Sequence, residues 1–121
     1  MTIKCDRKYG ATLDQGSVEH GITDKQGRSV GYTWKITEIT YVEKTADDLN
    51  KEFYSFYPRE EGQQMNVFQM WGTPTRNGKG YGPSSNYTEF NTLEEARRAT
   101  VKRIFQAEKR DTKKFRKEVA A

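Results

Sequence analysis

One segment of this chain has an unbroken helical period, and it closes the sequence, which leaves strands and turns for everything before it. Asn91-Thr92 precedes Leu93-Glu94-Glu95, a capping box with Thr92 as N-cap and Glu95 at N3 reaching back to its amide. Acidic residues open the segment and basic ones close it, the order that suits the helix dipole. At 100° per residue Leu93, Ala96, Thr100, Val101, Ile104, Phe105, Phe115 and Val119 fall on one broad stripe, which is expected to pack on a core. Arg98, Lys102, Arg103, Lys109, Arg110, Lys113, Arg116 and Lys117 fall on the opposite face, which carries no acid after Glu95. Glu108, Asp111 and Glu118 stay beside the apolar stripe.

Charge follows the same division. Residues 93–121 hold ten Lys/Arg against five Asp/Glu, and residues 1–92 eleven against twelve, so the net +4 is +5 in the helix and −1 elsewhere. Lys109/Lys113 and Arg110/Lys114 are like-charge i,i+4 pairs, each costing roughly 0.2–0.5 kcal/mol in an isolated helix. A purely structural surface more often intersperses its signs, so the face predicts an anionic partner.

The rest of the chain has the alternation and punctuation of strands. Val18 to Ile22 and Arg28 to Glu43 flank Asp24-Lys25-Gln26-Gly27, a turn composition that predicts a hairpin. In the second run Val30, Tyr32, Trp34 and Ile36 alternate, then the apolar parity shifts to Ile39 and Tyr41, which predicts a bulge or bend near Thr37-Glu38. Glu52 to Tyr57 is a short aromatic strand stopped by Pro58, and Arg59 to Gln63 turns the chain back into Met65 to Gly72. That run is apolar on both parities, as in a central strand covered on each face. Gly72 to Asn86 is rich in Gly, Pro and Asn, and Tyr87 to Phe90 is the last strand before the helix. The expected fold is α+β: an antiparallel β-meander of four to six strands followed by one long C-terminal amphipathic helix. Residues 1–17 are expected to form a polar N-terminal arm and residues 18–121 a single domain.

Composition narrows the class. Only 33% of the 121 residues are hydrophobic and mean hydropathy is −1.03, so a single modest core must lean on fifteen aromatic residues. There is no apolar run of signal-peptide or membrane-span length, which predicts a soluble cytoplasmic protein without membrane contact. The lone Cys5 is expected to be a reduced, structurally incidental thiol. His20 is the only histidine, placed by its Gly-flanked strand edge on the surface, so neither a Ser-His-Asp nor a Cys-His arrangement is at hand. The acid pairs Asp47-Asp48, Glu60-Glu61 and Glu94-Glu95 lie in predicted loops or serve the helix start. No enzyme, metal or cofactor is expected.

Tyr41-Val42-Glu43, Asn50-Lys51-Glu52-Phe53-Tyr54, Val67-Phe68-Gln69-Met70-Trp71-Gly72, Gly78, Phe90 and Leu93-Glu94-Glu95-Ala96 stand in an order that resembles the WGR domain, a small DNA-associated module. The resemblance covers about residues 36–118. Thr73 stands where the signature arginine belongs, one residue is inserted in Asn-Lys-Glu-Phe-Tyr, and residues 1–35 have no counterpart. The resemblance implies contact with DNA ends or backbone through Trp71 and nearby cations.

Independently of any family, Asn77-Gly78 is a two-residue hairpin signal that sets Arg76 and Lys79 side by side at a ribbon tip. Glycines 78, 80 and 82 uncover backbone amides, while Trp71 and Tyr81 offer flat apolar faces. Such a ribbon favours phosphates with stackable bases or sugars. It is not a P-loop, since Gly80 follows Gly78-Lys79 where Ser or Thr is needed. Two functions follow as expectations. One is a nucleic-acid-binding module, DNA ahead of RNA, that grips phosphates with the basic helix face and the Arg76/Lys79 ribbon. The other is a small interaction or inhibitor protein of phage or mobile-element type that binds an acidic or nucleoprotein partner. Phe53, Tyr54, Phe56 and Tyr57 exceed what one strand face can bury, and predict a patch for a partner or for a homodimer.

Overall fold

Two turns set the sheet. The computed structural model describes residues 1–44, 57–81 and 87–119, with side chains as far as Phe115. β1 (Thr2–Thr23) and β2 (Ser29–Glu43) are joined through Asp24 to Arg28, and β4 (Asn66–Arg76) returns through Asn77-Gly78 into β5 (Lys79–Gly80). Asn77 and Gly78 both have positive φ, 52° and 78°, the geometry that lets a two-residue turn follow the twist of its strands. Among the described residues, β3 (Tyr57–Glu60) and β6 (Thr88–Phe90) complete an antiparallel six-stranded sheet, ordered β3-β1-β2-β4-β5 with β6 also on β4. α1 (Leu93–Val119) follows, and the Glu95 amide donates to Thr92 Oγ1 at 3.1 Å as the N-cap requires. The result is the expected α+β architecture.

The polar lead-in is a strand and not an arm. Residues 2–17 form most of β1, paired with β2 over Cys5↔Glu43 to Thr23↔Ser29 and with β3 over Thr2↔Glu60 to Cys5↔Tyr57. Its polarity follows from position: most of its side chains face water, and only Cys5, His20 and Ile22 of β1 are buried. Pro58 does not stop β3 but lies inside it, as a sheet edge allows, where no neighbour needs the missing N–H. Phe53, Tyr54 and Phe56 lie outside the described residues. Tyr57 is 39% exposed, and its ring carries the Arg7 guanidinium at 3.9 Å.

The parity shift in β2 marks a change of face. β2 pairs with β4 in unbroken register from Val30↔Arg76 to Thr40↔Asn66, so Ile36 and Ile39 point to opposite sides. Ile36 packs with Met70, Ala96, Trp34, Phe68, Phe90 and Leu93 beneath the helix. Ile39 packs on the other face with Cys5, Tyr41, Val67, Ile3 and Met65. The register shifts belong to β1, which spends extra residues between Tyr9 and Asp14 opposite Thr37 and Ile36. Burial, and secondarily Glu43, push the Cys5 thiol up, which keeps it inert. On the same face Glu89 ties the edges together, receiving the Tyr41 phenol and lying 3.4 Å from Arg59 and 3.9 Å from Arg7.

The helix seats part of the expected stripe, with Ala96, Thr100 and Phe115 buried and Leu93 packed on the core, and turns the rest away. Its contact seam is Ala96, Thr100, Ala107, Asp111 and Phe115, and the small Ala96, Thr100 and Ala107 let its backbone approach the sheet. Val101 (52% exposed) and Phe105 (65%) lie on the solvent side. Arg103, expected on the basic face, instead points inward and donates to Met70 Sδ and Thr88 Oγ1 at 2.9 and 2.5 Å. His20 is likewise buried, with Nε2 3.8 Å from Asp111 Oδ2.

Candidate nucleic-acid interface

The β1–β2 turn, the β4–β5 turn and the end of α1 meet at one end of the molecule. The turns are zipped together: the Ser29 amide donates to Asn77 Oδ1 at 2.8 Å and the Asn77 amide to the Ser29 carbonyl at 2.9 Å. Phe115 seals the junction from the helix side against Ile22 and Val30. Between these elements lies a cavity of about 210 Å³ lined by Asp24, Lys25, Gln26, Arg28, Arg76, Tyr81, Lys114 and Phe115. Four of those residues are cations and one is an acid.

The acid is already satisfied. Asp24 Oδ1 accepts from the Gln26 and Arg28 amides, both at 2.9 Å, and Oδ2 accepts from Arg28 Nε at 2.8 Å. Burial works to raise its pKa, but the Arg28 backbone and side-chain hydrogen bonds prevail and hold the carboxyl below its ordinary range. A depressed carboxylate contributes stability above its unfolded pKa of about 3.9 and loses it as pH falls through the folded value. Asp24→Asn should therefore be less stable than the parent at neutral pH. The gap in urea midpoint between the two should close below about pH 4, and a gap independent of pH would deny Asp24 this role.

Arg76 is the surplus charge. Its side chain is 10% exposed, against the expectation that the ribbon tip exposes it. Nη1 donates to the Thr75 carbonyl at 2.9 Å, and the guanidinium lies over the Tyr81 ring at 4.5 Å and the Phe115 ring at 5.3 Å. Nε is 3.3 Å from Asp24 Oδ2 without hydrogen-bond geometry, and has no hydrogen-bond partner among the described residues. Arg28 lies over the same Tyr81 ring at 4.9 Å. Tyr81 is held by its amide, which donates to the Pro74 carbonyl at 2.8 Å, and is 44% exposed.

The structure thus joins two features that the sequence offers separately. The ribbon residues Arg76, Lys79 and Tyr81 share one end with Lys113 and Lys114, and Lys109 is exposed one turn before Lys113. Lys102 and Arg98 are exposed farther up the helix, and Arg98 is bonded to Glu94 at 2.6 Å. Arg110, exposed, lies 3.5 Å from Asp111 and borders a second cavity beside Tyr32 and Pro74. Trp71 is apart from all of these. It alternates with Met70, so it faces away from the helix, half-buried with the Lys35 ammonium 5.9 Å from its ring. Arg116 and Lys117 continue the helix, their side chains outside those described.

Sequence reasoning missed Lys25, Arg28 and Asp24 as site residues. The Asp24/Arg28 spacing across a predicted turn was their only local signal, and nothing in the sequence tells which turn the helix end will touch. Among the described residues no group of three or more His, Cys, Asp or Glu could hold a metal ion, and no helix is long and apolar enough to cross a membrane. No protein-family model, curated protein or solved structure matches the chain.

Proposed function

We propose that this protein is a nucleic-acid-binding module that grips phosphates with the turn–turn–helix end of the molecule. The observation that carries the reading is the convergence of Lys25, Arg28, Arg76 and Lys114 from three elements around a single acid that is already neutralised, with Lys79 and Lys113 exposed next to them in the chain. Cations brought together in this way release counterions when they meet a polyphosphate, giving affinity that is largely electrostatic and weak in sequence preference. The resemblance to the WGR domain points the same way, although Trp71, the residue it would use, lies on the opposite face of the sheet.

Fluorescence anisotropy with labelled single- and double-stranded DNA and RNA of about 20 nucleotides, followed across salt, tests this. Lys109→Glu/Lys113→Glu/Lys114→Glu should weaken binding at least tenfold and flatten the slope of log affinity against log salt by about 3, one unit for each phosphate that is no longer neutralised. Affinity unchanged in that variant would end this reading. It would turn attention to the second one, a protein-binding or inhibitory role. Exposed Val101 and Phe105, one helical turn apart beside the basic face, favour that alternative.

A further inference from the structure

We propose that the cavity between Asp24, Arg28, Arg76, Tyr81 and Lys114 seats one phosphate group, and is the fixed anchor of an interface whose helix lysines are otherwise interchangeable. The inference deepens the nucleic-acid reading by assigning it a single geometric site. Three observations carry it.

The first is an incomplete hydrogen-bond set. Arg76 is nine-tenths buried and borders this cavity, yet its Nε lacks a hydrogen-bond partner among the described residues. A buried guanidinium donor left without an acceptor is costly unless something else supplies one. The nearest carboxylate does not supply it: Asp24 Oδ2 accepts from Arg28 Nε and stands 3.3 Å from Arg76 Nε outside hydrogen-bond geometry.

The second is preorganisation. Thr75 fixes one end of the Arg76 guanidinium, and the Tyr81 and Phe115 rings fix its plane. A planar fork held in this way recognises a phosphate without first losing rotamer freedom.

The third is direction. Cations reach the cavity from the first turn, from the ribbon and from the helix end, which surrounds a tetrahedral oxyanion better than a planar carboxylate. Lys25 and Lys114 are exposed on its rim and match the residual charge of a phosphate. The exposed Tyr81 ring beside the opening gives an attached sugar or base an apolar wall.

The test uses two probes, inorganic phosphate and a single-stranded 20-nucleotide DNA, with ¹H–¹⁵N spectra of the full chain that include arginine Nε–Hε signals. Phosphate should shift the Arg76 and Arg28 Nε–Hε signals and the Gln26 and Tyr81 amides, and leave Lys102 and Lys109 unmoved. Arg76→Gln should abolish those shifts and weaken the DNA complex about tenfold, as expected when one charge-assisted hydrogen bond is removed. Lys114→Glu changes an exposed residue, so it keeps the fold and should still weaken phosphate binding. Lys109→Glu/Lys113→Glu should weaken DNA binding while leaving the phosphate shifts intact. Shifts spread over the helix lysines, or absent altogether, would overturn the anchor even if DNA binds. Phosphate shifts confined to the cavity without DNA binding would uphold the site for a small phosphorylated ligand and overturn the nucleic-acid reading on which it was placed.

Discussion

Gly72→Ala should lower stability by about 2–3 kcal/mol, a large part of the total for a domain of this size. An added Cβ at Gly72 would stand 2.0 Å from Tyr32 Oη and 2.6 Å from Cζ. Gly72 pairs with Trp34 in the neighbouring strand, so the buried Tyr32 ring lies diagonally across it. Trp34 leans the other way, over Gly16, where a Cβ would meet the indole at 2.5 Å. Two aromatic rings of β2 therefore lie over glycines of the strands on either side, and the helix rests on the surface they make. Tyr32 also borders a cavity of about 200 Å³ with Pro74, Arg103 and Ala107. Swinging into that space limits the cost of the clash without removing it. Denaturant midpoints measure the effect, and two comparisons make it specific. Gly80→Ala meets nothing nearer than Thr73 Cγ2 at 3.7 Å, so it should stay within about 0.5 kcal/mol of the parent. In a Tyr32→Ala background, Gly72→Ala should cost much less than in the parent. Additive losses would mean that the ring is not what Gly72 accommodates.

That arrangement shows which parts of the molecule are local in the sequence. The Thr92 cap, the Asn77-Gly78 turn and the hairpin around Asp24 are decided by neighbours along the chain, and each forms where its residues predict. The exposed cations Lys79, Lys102, Lys109 and Lys113 are legible for the same reason, because a charge at the centre of a polar face needs no tertiary information. Contacts between distant elements are not legible. A Leu/Val/Phe stripe is the natural choice for the buried side of α1, but a sheet surfaced by flat Tyr32 and Trp34 takes the small Ala96, Thr100 and Ala107 between Leu93 and Phe115, and Val101 and Phe105 turn outward. The polar β1 resembles an arm in sequence because its partners are supplied by β2 and β3 and not by its own hydrophobicity. Arg76 is expected in solvent because sequence shows its turn and not the Tyr81 and Phe115 rings over which it lies.

The same logic makes the buried His20–Asp111 pair the second largest expected effect. Asp111 is the charged residue of the seam, and its Oδ2 and both ring nitrogens of His20 lack hydrogen-bond partners among the described residues. Their side chains are 7% and 0% exposed, and they face each other at 3.8 Å. Arg110 also lies beside them, 3.5 Å from Asp111 Oδ1. Asp111→Ala removes the carboxylate that faces the enclosed His20 and leaves Arg110 without its acid, and should cost about 2–3 kcal/mol. Replacing both members with leucine removes the polar groups together, and His20→Leu/Asp111→Leu should recover most of that loss. If the double variant is as unstable as Asp111→Ala, the pair contributes nothing as a pair and the loss is one of packing alone. The pair also bears on the site, because Lys114 and Phe115 follow Asp111 by one helical turn. We expect the double variant to fold with a less sharply fixed helix end, since two leucines match in many positions and an Asp–His contact in few. Broadening of the Phe115 and Arg76 signals, with stability restored, would show that the pair is kept for register. Unchanged sharp signals would reject that role and leave the seam residues to align the helix by themselves.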